Sequence, residues 1–245
     1  MPASHWDSQA EAYDELIGQQ GDPLRRDFLD PIMLNLLGNL EGKRVLDAGC
    51  GNGYFSDRAE GLGARVLGVD SSAELLKIAK SKFRGDFQVA DLTQKLPLPD
   101  ASFDLVLAHL VLMDLPECAT LMAESYRVLN SGGRVIVSIL HPLFTPPVGK
   151  FHRGILGRIW PRLGGFLIRD YFTTRRVEKL IYGTKVKSIY YHRTFASYIN
   201  TFLEQGFSLR KMLEPRPSRE FLTLYPQYKH AEKVPIFLVL EFQKN

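Results

Sequence analysis

Three glycines at alternate positions, Gly49, Gly51 and Gly53, follow an acid, Asp47, at the end of a short apolar run, Val45-Leu46. Glycine opens torsions closed to other residues and removes the side chains that would keep a ligand off the main chain. A carboxylate beside bared backbone groups suits a ligand carrying an ammonium or hydroxyls better than a bare pyrophosphate. A dinucleotide loop of the form G-x-G-x-x-G would place its third glycine at position 54, where this chain has Tyr54. Further groups capable of chemistry follow at intervals: Asp70, Asp91 and the histidines His109, His141 and His192, the last three being candidate bases. Cys50 and Cys118 have no metal-ligand spacing, so no metal is expected and both thiols are expected to be reduced and inert.

The elements that must position these residues alternate between strand and helix patterns. Arg44-Val-Leu enters the glycine turn, and helical spacing resumes at Tyr54 and runs to Leu62. Arg65 to Asp70 reads as a second strand with an acid at its tip, where it can bind the vicinal hydroxyls of a ribose. Ser71-x-x-Glu74 predicts a capping box for the next helix. Phe87 to Ala90 is a third strand, ending at Asp91-Leu92, and Phe103 to Leu110 is apolar enough to be a strand buried on both faces. A helix over Leu115 to Leu129, a Ser-Gly-Gly turn and a strand from Val135 to Leu140 complete this part. Ahead of it, Trp6, Tyr13, Leu16 and Ile17, then Phe28 to Leu37, predict two helices. Beyond it, Thr194 to Gln205 predicts a helix, and Phe207 to Glu214 and Val234 to Phe242 the last two strands.

Asp47-Ala-Gly-Cys-Gly-Asn-Gly53, with acids at the next two strand ends, resembles motif I and its sequel in the class I S-adenosylmethionine (SAM) dependent methyltransferases, in particular their small-molecule, type 11 branch. The specific likeness runs from Trp6 to Leu140; from Thr194 onward it concerns general architecture. The resemblance implies an α/β, Rossmann-like, seven-stranded and mostly parallel sheet in the order 3-2-1-4-5-7-6, with the last strand antiparallel and helices on both faces. It implies SAM as cofactor, with S-adenosylhomocysteine as product. The cofactor-binding set it implies is Tyr13, Arg25, Asp47, Gly49, Gly51, Gly53, Asp70, Ser71, Asp91, Leu92, Ala108 and His109. In it Tyr13, with Arg25 or Arg26, reaches the methionyl carboxylate, and Asp91 takes the adenine amino group. Leu92 supplies a backbone amide or apolar cover, the Ala108 carbonyl touches the cofactor, and His109 points toward the reacting methyl.

Ordinary globular proportions, 45% hydrophobic and 24% charged over 245 residues, fit one methyltransferase domain over 1–245. Residues 1–40 are expected to form helices over the cofactor, and residues 141–193 an inserted lid or substrate region. The net charge of +4 hides an asymmetry: 13 Lys and Arg against 20 Asp and Glu up to Leu140, then 18 against 7. The excursion from His141 to Arg193 carries 11 of those basic residues, two acids (Asp170 and Glu178) and nine aromatics. That composition predicts an acceptor of acidic or aromatic and hydrophobic character, and it also allows peripheral contact with an anionic membrane, centred on Gly154 to Ile168. The amino terminus lacks the pattern of a signal peptide and no apolar run could span a bilayer, so a cytoplasmic protein is expected.

The implied reaction is in-line displacement at the sulfonium methyl by an oxygen or nitrogen of a small-molecule acceptor. The donor is already activated, so holding the two reactants together and excluding water can supply much of the catalysis. His109, His141 and His192 are the candidate bases, with Tyr171 and Tyr191 as positioning hydroxyls. Nucleic acid is disfavoured because the fourth strand lacks an Asn-Pro-Pro or Asp-Pro-Pro end and neither cysteine sits in a Pro-Cys pair. The alternatives are a methyltransferase acting on RNA or lipid, a non-catalytic SAM-binding protein and, with its third glycine misplaced, an NAD-dependent oxidoreductase. Oligomeric state is not legible in the pattern.

Overall fold

The computed structural model describes residues 4–144, 148–152, 165–181 and 186–245. Seven strands form one sheet: β1 (Arg44–Ala48), β2 (Arg65–Asp70), β3 (Asp86–Val89), β4 (Phe103–His109), β5 (Leu129–Leu140), β10 (Phe207–Leu213) and β11 (Phe237–Lys244). Their order is 3-2-1-4-5-11-10, which is the expected 3-2-1-4-5-7-6 when these strands alone are numbered. The pairs β1–β2, β1–β4, β2–β3 and β4–β5 are parallel, and β11 runs antiparallel to both β5 and β10.

Alternation along the strands divides the core in two. Leu46, Val106, Val137 and Leu240 face one cluster, which α5 (Ala119–Val128) closes with Leu121 and Met122, and α6 (Phe195–Glu204) with Tyr198 and Phe202. Val45, Leu105, Leu107, Ile136 and Val239 face the other. There α2 (Asp30–Leu37) contributes Met33 and Leu37, α3 (Tyr54–Glu60) Phe55 and Ala59, and α7 (Arg219–Leu224) Phe221. Helix α4 (Ala73–Lys82) packs Leu76 and Ala79 beside Phe87 and Cys50. Both cysteines are free and buried.

Three elements depart from the sequence pattern. The helix expected from Leu115 begins only at Ala119, because Leu115 precedes Pro116 and is extended (ψ 136°); a short 3-10 turn, Leu112–Asp114, comes before it. The N-cap of α4 is Ser72, which accepts the Leu75 N–H at 3.2 Å, and not Ser71. The Asp70 carboxylate draws in the Ser72 N–H at 2.9 Å and so places the helix start one residue on. Strand β5 begins at Leu129, six residues early, and the expected glycine turn becomes an irregularity within it at Gly132 (φ 73°).

The segment after β5 forms two antiparallel ribbons, β6 (Gly149–His152) with β7 (Gly165–Ile168), and β8 (Arg175–Leu180) with β9 (Lys187–His192). Most of the Gly154 to Ile168 stretch, including Trp160, and also Tyr182, lie outside the described residues. Before the sheet, α1 (Ala10–Ile17) is followed by a π-helical turn, Arg25–Leu29, that runs directly into α2.

Candidate donor site at the carboxyl edge of the sheet

The glycine turn folds back over the end of β2. The N–H groups of Gly49 and Cys50 donate to the Val69 carbonyl at 2.7 and 3.1 Å, and the Gly51 N–H donates to Asp70 Oδ2 at 2.9 Å. All three glycines have positive φ (80°, 57° and 82°). At Gly49 the need is also steric: a Cβ there would lie 2.3 Å from Val111 Cγ2, in the turn that follows β4. Glycine turn and β4 end therefore touch.

Asp70 is 8% exposed and accepts two backbone N–H groups, one on each oxygen, which orients the carboxylate while leaving lone pairs for a hydroxylated ligand. At the next strand end, Asp91 accepts the Thr93 N–H at 2.9 Å and hydroxyl at 2.7 Å, both on Oδ1, with Leu92 buried behind it. Ala108, at 1% exposed, packs with the core on the α5 side. Ser71 shares a 3.1 Å hydroxyl contact with Ser4.

The amino-terminal arm crosses this edge. The Tyr13 ring lies over Gly51, 3.5 Å from where its Cβ would be, and stacks edge-on against Trp6. Asp14 accepts the Asn52 amide at 2.8 Å and pairs with Lys82, while Asp7 accepts the Ser72 hydroxyl at 2.7 Å. Gln9 exchanges two hydrogen bonds with the Lys187 backbone and so joins the arm to the β8–β9 ribbon. The Asp22 carboxylate pairs with Arg25, and Tyr13 is raised above the usual phenol value, first by burial. Arg26 instead faces Asp27 and Tyr225 and is not brought to this edge.

Four other residues singled out in the sequence are turned inward. Asp47 is 1% exposed, accepts the Ser56 hydroxyl of α3 at 2.6 Å, and is pushed up to about 7 by burial. His109 stacks on Phe55 at 4.2 Å, under α3, and faces the core with Leu105 and Leu107 rather than the open edge. His141, 1% exposed, approaches Glu214 through Nε2 at 2.9 Å and accepts the Leu143 N–H at Nδ1. His192, wholly buried, donates from Nε2 to the Tyr171 carbonyl at 2.7 Å. Burial holds all three histidines below the usual imidazole value. The Tyr171 hydroxyl accepts the Phe195 N–H at 2.7 Å.

Two contributors escaped the sequence reading. Arg193, 8% exposed, donates to the carbonyls of Leu112 and Leu115 and pins the base of the ribbon to the turn after β4. Asp114 in that turn accepts the Ser188 hydroxyl of β9 at 3.2 Å. An arginine closing an aromatic run, Tyr190-Tyr-His-Arg, was the available signal for the first; nothing in sequence spacing marks the second.

A parallel sheet in which only the last strand of the chain, β11, is reversed, with a glycine turn, a carboxylate on β2 and a carboxylate after β3 at one edge, defines a Rossmann-like methyltransferase fold. Residues 46–137 match the type 11 methyltransferase-domain family. Fold and family match together mark residues 46–137 as a class I SAM-dependent methyltransferase domain, and SAM is the methyl donor of that class.

Similar to it is a SAM-dependent methyltransferase of Mesorhizobium loti, 26% identical with a TM-score of 0.75, covering 93% of this chain and 100% of that one. A malonyl-[acyl-carrier protein] O-methyltransferase of Erwinia billingiae is 40% identical over 101 residues, covering 41% of this chain and 40% of that relative. A demethylmenaquinone methyltransferase of Tropheryma whipplei is 32% identical over 142 residues, 55% of this chain and 57% of the relative. The matches thus span about half the length of these curated relatives.

Proposed function

We propose that the protein transfers the methyl group of SAM to an oxygen of an anionic small-molecule or carrier-linked acceptor, a carboxylate being the acceptor that fits best. The observation that carries this reading is the state of the three candidate histidines: each imidazole is enclosed and already engaged within the chain, His109 with Ser138, His141 with Glu214 and His192 with the Tyr171 carbonyl. A carboxylate oxygen is already a nucleophile and needs no base, so the transfer rests on alignment and water exclusion. The basic balance after Leu140 favours such an acceptor, and so does the likeness to a malonyl-[acyl-carrier protein] O-methyltransferase.

In this reading Asp70 holds the ribose hydroxyls, while Asp91 and Leu92 hold the adenine. The backbone of Gly49, Gly51 and Gly53 lies along the methionyl part, and Tyr13 with Arg25 faces its carboxylate. Ser71 supports the ribose side and the Ala108 carbonyl the sulfonium side. Asp47 acts from beneath by fixing the turn to α3, and His109 acts from within the core. Within the insertion, the β8–β9 ribbon covers the acceptor, tied down by Arg193 and by Ser188 with Asp114.

Calorimetric titration of S-adenosylhomocysteine tests the donor half: the wild type binds, and Asp70→Asn weakens binding at least about tenfold by losing a charge-assisted hydrogen bond. Methyl transfer from labelled SAM into a metabolite extract tests the other half. The label should be released by mild alkali, as a methyl ester is; an alkali-stable product would exclude carboxylate methylation.

A second reading has its own support. Phe172 is 87% exposed and Leu167, Ile168 and Leu180 are exposed near Arg175 and Arg176, which suits an acceptor drawn from an anionic lipid surface. Co-sedimentation with anionic but not neutral vesicles would select it.

A further inference from the structure

The polar groups behind β4 line up in series from the turn after the strand to Asp30, with one gap between His109 and the carboxylate. The Leu110 N–H is shared between the Ser138 carbonyl at 2.9 Å and Ser138 Oγ at 3.1 Å, and Ser138 Oγ lies 2.8 Å from His109 Nδ1. With Nδ1 accepting from Ser138, the ring proton sits on Nε2, which faces Asp30 Oδ1 at 3.6 Å. The far side of that carboxylate is fixed by the Tyr54 hydroxyl, 2.8 and 2.7 Å from its two oxygens. Asp30 is 1% and Ser138 0% exposed, and among the described residues His109 Nε2 is a buried polar atom left without a hydrogen bond.

Each link reaches toward the donor edge. Leu110 is a non-glycine residue held at φ 56°, a conformation that costs about 1–2 kcal/mol and persists only where neighbours enforce it. The next residue, Val111, fills the space beside Gly49. Tyr54 is the first residue of α3, directly after the glycine turn. Asp30 closes the π-helical turn through its N–H to the Arg25 carbonyl, an i to i+5 bond that brings positions 25 and 30 nearer one face than an α-helical turn would.

We propose that Asp30 is a positioning residue for methyl transfer: through His109 and Ser138 it holds the turn after β4, and through Tyr54 the start of α3, in the geometry that receives the donor. This inference rests on the donor site described above and adds to it a carboxylate that touches neither donor nor acceptor. The groups facing Asp30 are Tyr54, His109, Arg25, Arg58 and Asp22; those facing His109 are Asp30, Ser138, Phe55 and Arg25. Burial lifts the Asp30 carboxyl to about 6 against the opposing pull of Tyr54 and Arg25. The negative charge at the end of the series is therefore lost in mildly acidic solution.

The test is titration of S-adenosylhomocysteine into the intact protein and its variants at about pH 7.5 and about pH 5, with thermal melting run in parallel. Asp30→Asn should bind about tenfold more weakly than wild type at the higher pH. That deficit should shrink to within about twofold at the lower pH, where the wild-type carboxyl is also uncharged. His109→Gln keeps a donor near the Nε2 position and should bind like the wild type, whereas His109→Asn should bind like Asp30→Asn.

Equal affinity of Asp30→Asn and wild type at pH 7.5 overturns the proposal, and so does a deficit that persists unchanged at pH 5, which marks a structural defect. If Asp30→Asn fails to fold, the His109 pair decides: equal affinities of the Gln and Asn variants overturn it. A wild type that binds no S-adenosylhomocysteine at either pH removes the donor-site reading itself. That result is distinct from a wild type that binds with variants unaffected.

Discussion

Burial lifts the Asp47 carboxyl to about 7, with Asp70 adding to the shift and the Ser56 hydroxyl opposing it. Because the folded value lies above the unfolded one, the native state binds more protons between the two. This contribution to stability is therefore full in acid and is lost as pH rises from about 4 through about 7. Asp47→Asn keeps an acceptor for Ser56 and removes the ionisation. Its melting temperature should gain on the wild type as pH is raised from 5 to 8, by an amount equivalent to at most about 3 kcal/mol; melts at several pH values check this. At this scale the sequence located the acids well, since Asp70 and Asp91 stand at successive strand ends. It misplaced His109 because a strand buried on both faces is apolar throughout, so its period of two is masked. Parity with Leu105 and Leu107, and the lone polar Ser138 at the paired position on β5, were the clues to the face it takes.

Contacts between elements carry the next level. The glycine turn and the turn after β4 meet at Gly49 and Val111, where both torsion and space demand glycine. Gly49→Ala should cost several kcal/mol, and Gly49→Ala with Val111→Ala should recover the steric part. About 1–2 kcal/mol of left-handed strain would remain; chemical denaturation of the two single variants and the double variant measures the split. At the other end of the insertion, the Thr194 hydroxyl caps α6 by accepting the Ser197 N–H at 3.1 Å. Thr194→Ala should lower stability by about 1 kcal/mol. Most element cores were legible because periodicity is local. Their ends moved where a local rule was overridden: by Pro116 before α5, and by Asp70 capturing the Ser72 amide before α4.

The asymmetry of charge belongs to the whole molecule, with acids concentrated before Leu140 and basic residues after it. If the acceptor is anionic, its KM should rise with ionic strength, while the KM for SAM should change little if the donor is held as proposed by short-range contacts with buried groups. Steady-state kinetics at about 50 and 500 mM salt compare the two. The same asymmetry is bridged physically by the amino-terminal arm, whose Asp7, Gln9 and Asp14 reach α4, the β8–β9 ribbon and the glycine turn in succession. No helix among the described residues is long and apolar enough to cross a membrane.

The order of strand and helix patterns, the glycine turn and the acids at strand ends were determined by the sequence alone, because each depends on residues within one turn or one strand of each other. Only the tertiary structure decided what lay on which side of the sheet. His141 and His192, candidate bases in the sequence, are buried and engaged by Glu214 and by the Tyr171 carbonyl, 73 and 21 residues away. Asp30, a lone acid in an apolar helix, became part of a chain ending beside the glycine turn. Such partnerships are set by which buried polar groups can satisfy one another at a distance, and no local pattern encodes that.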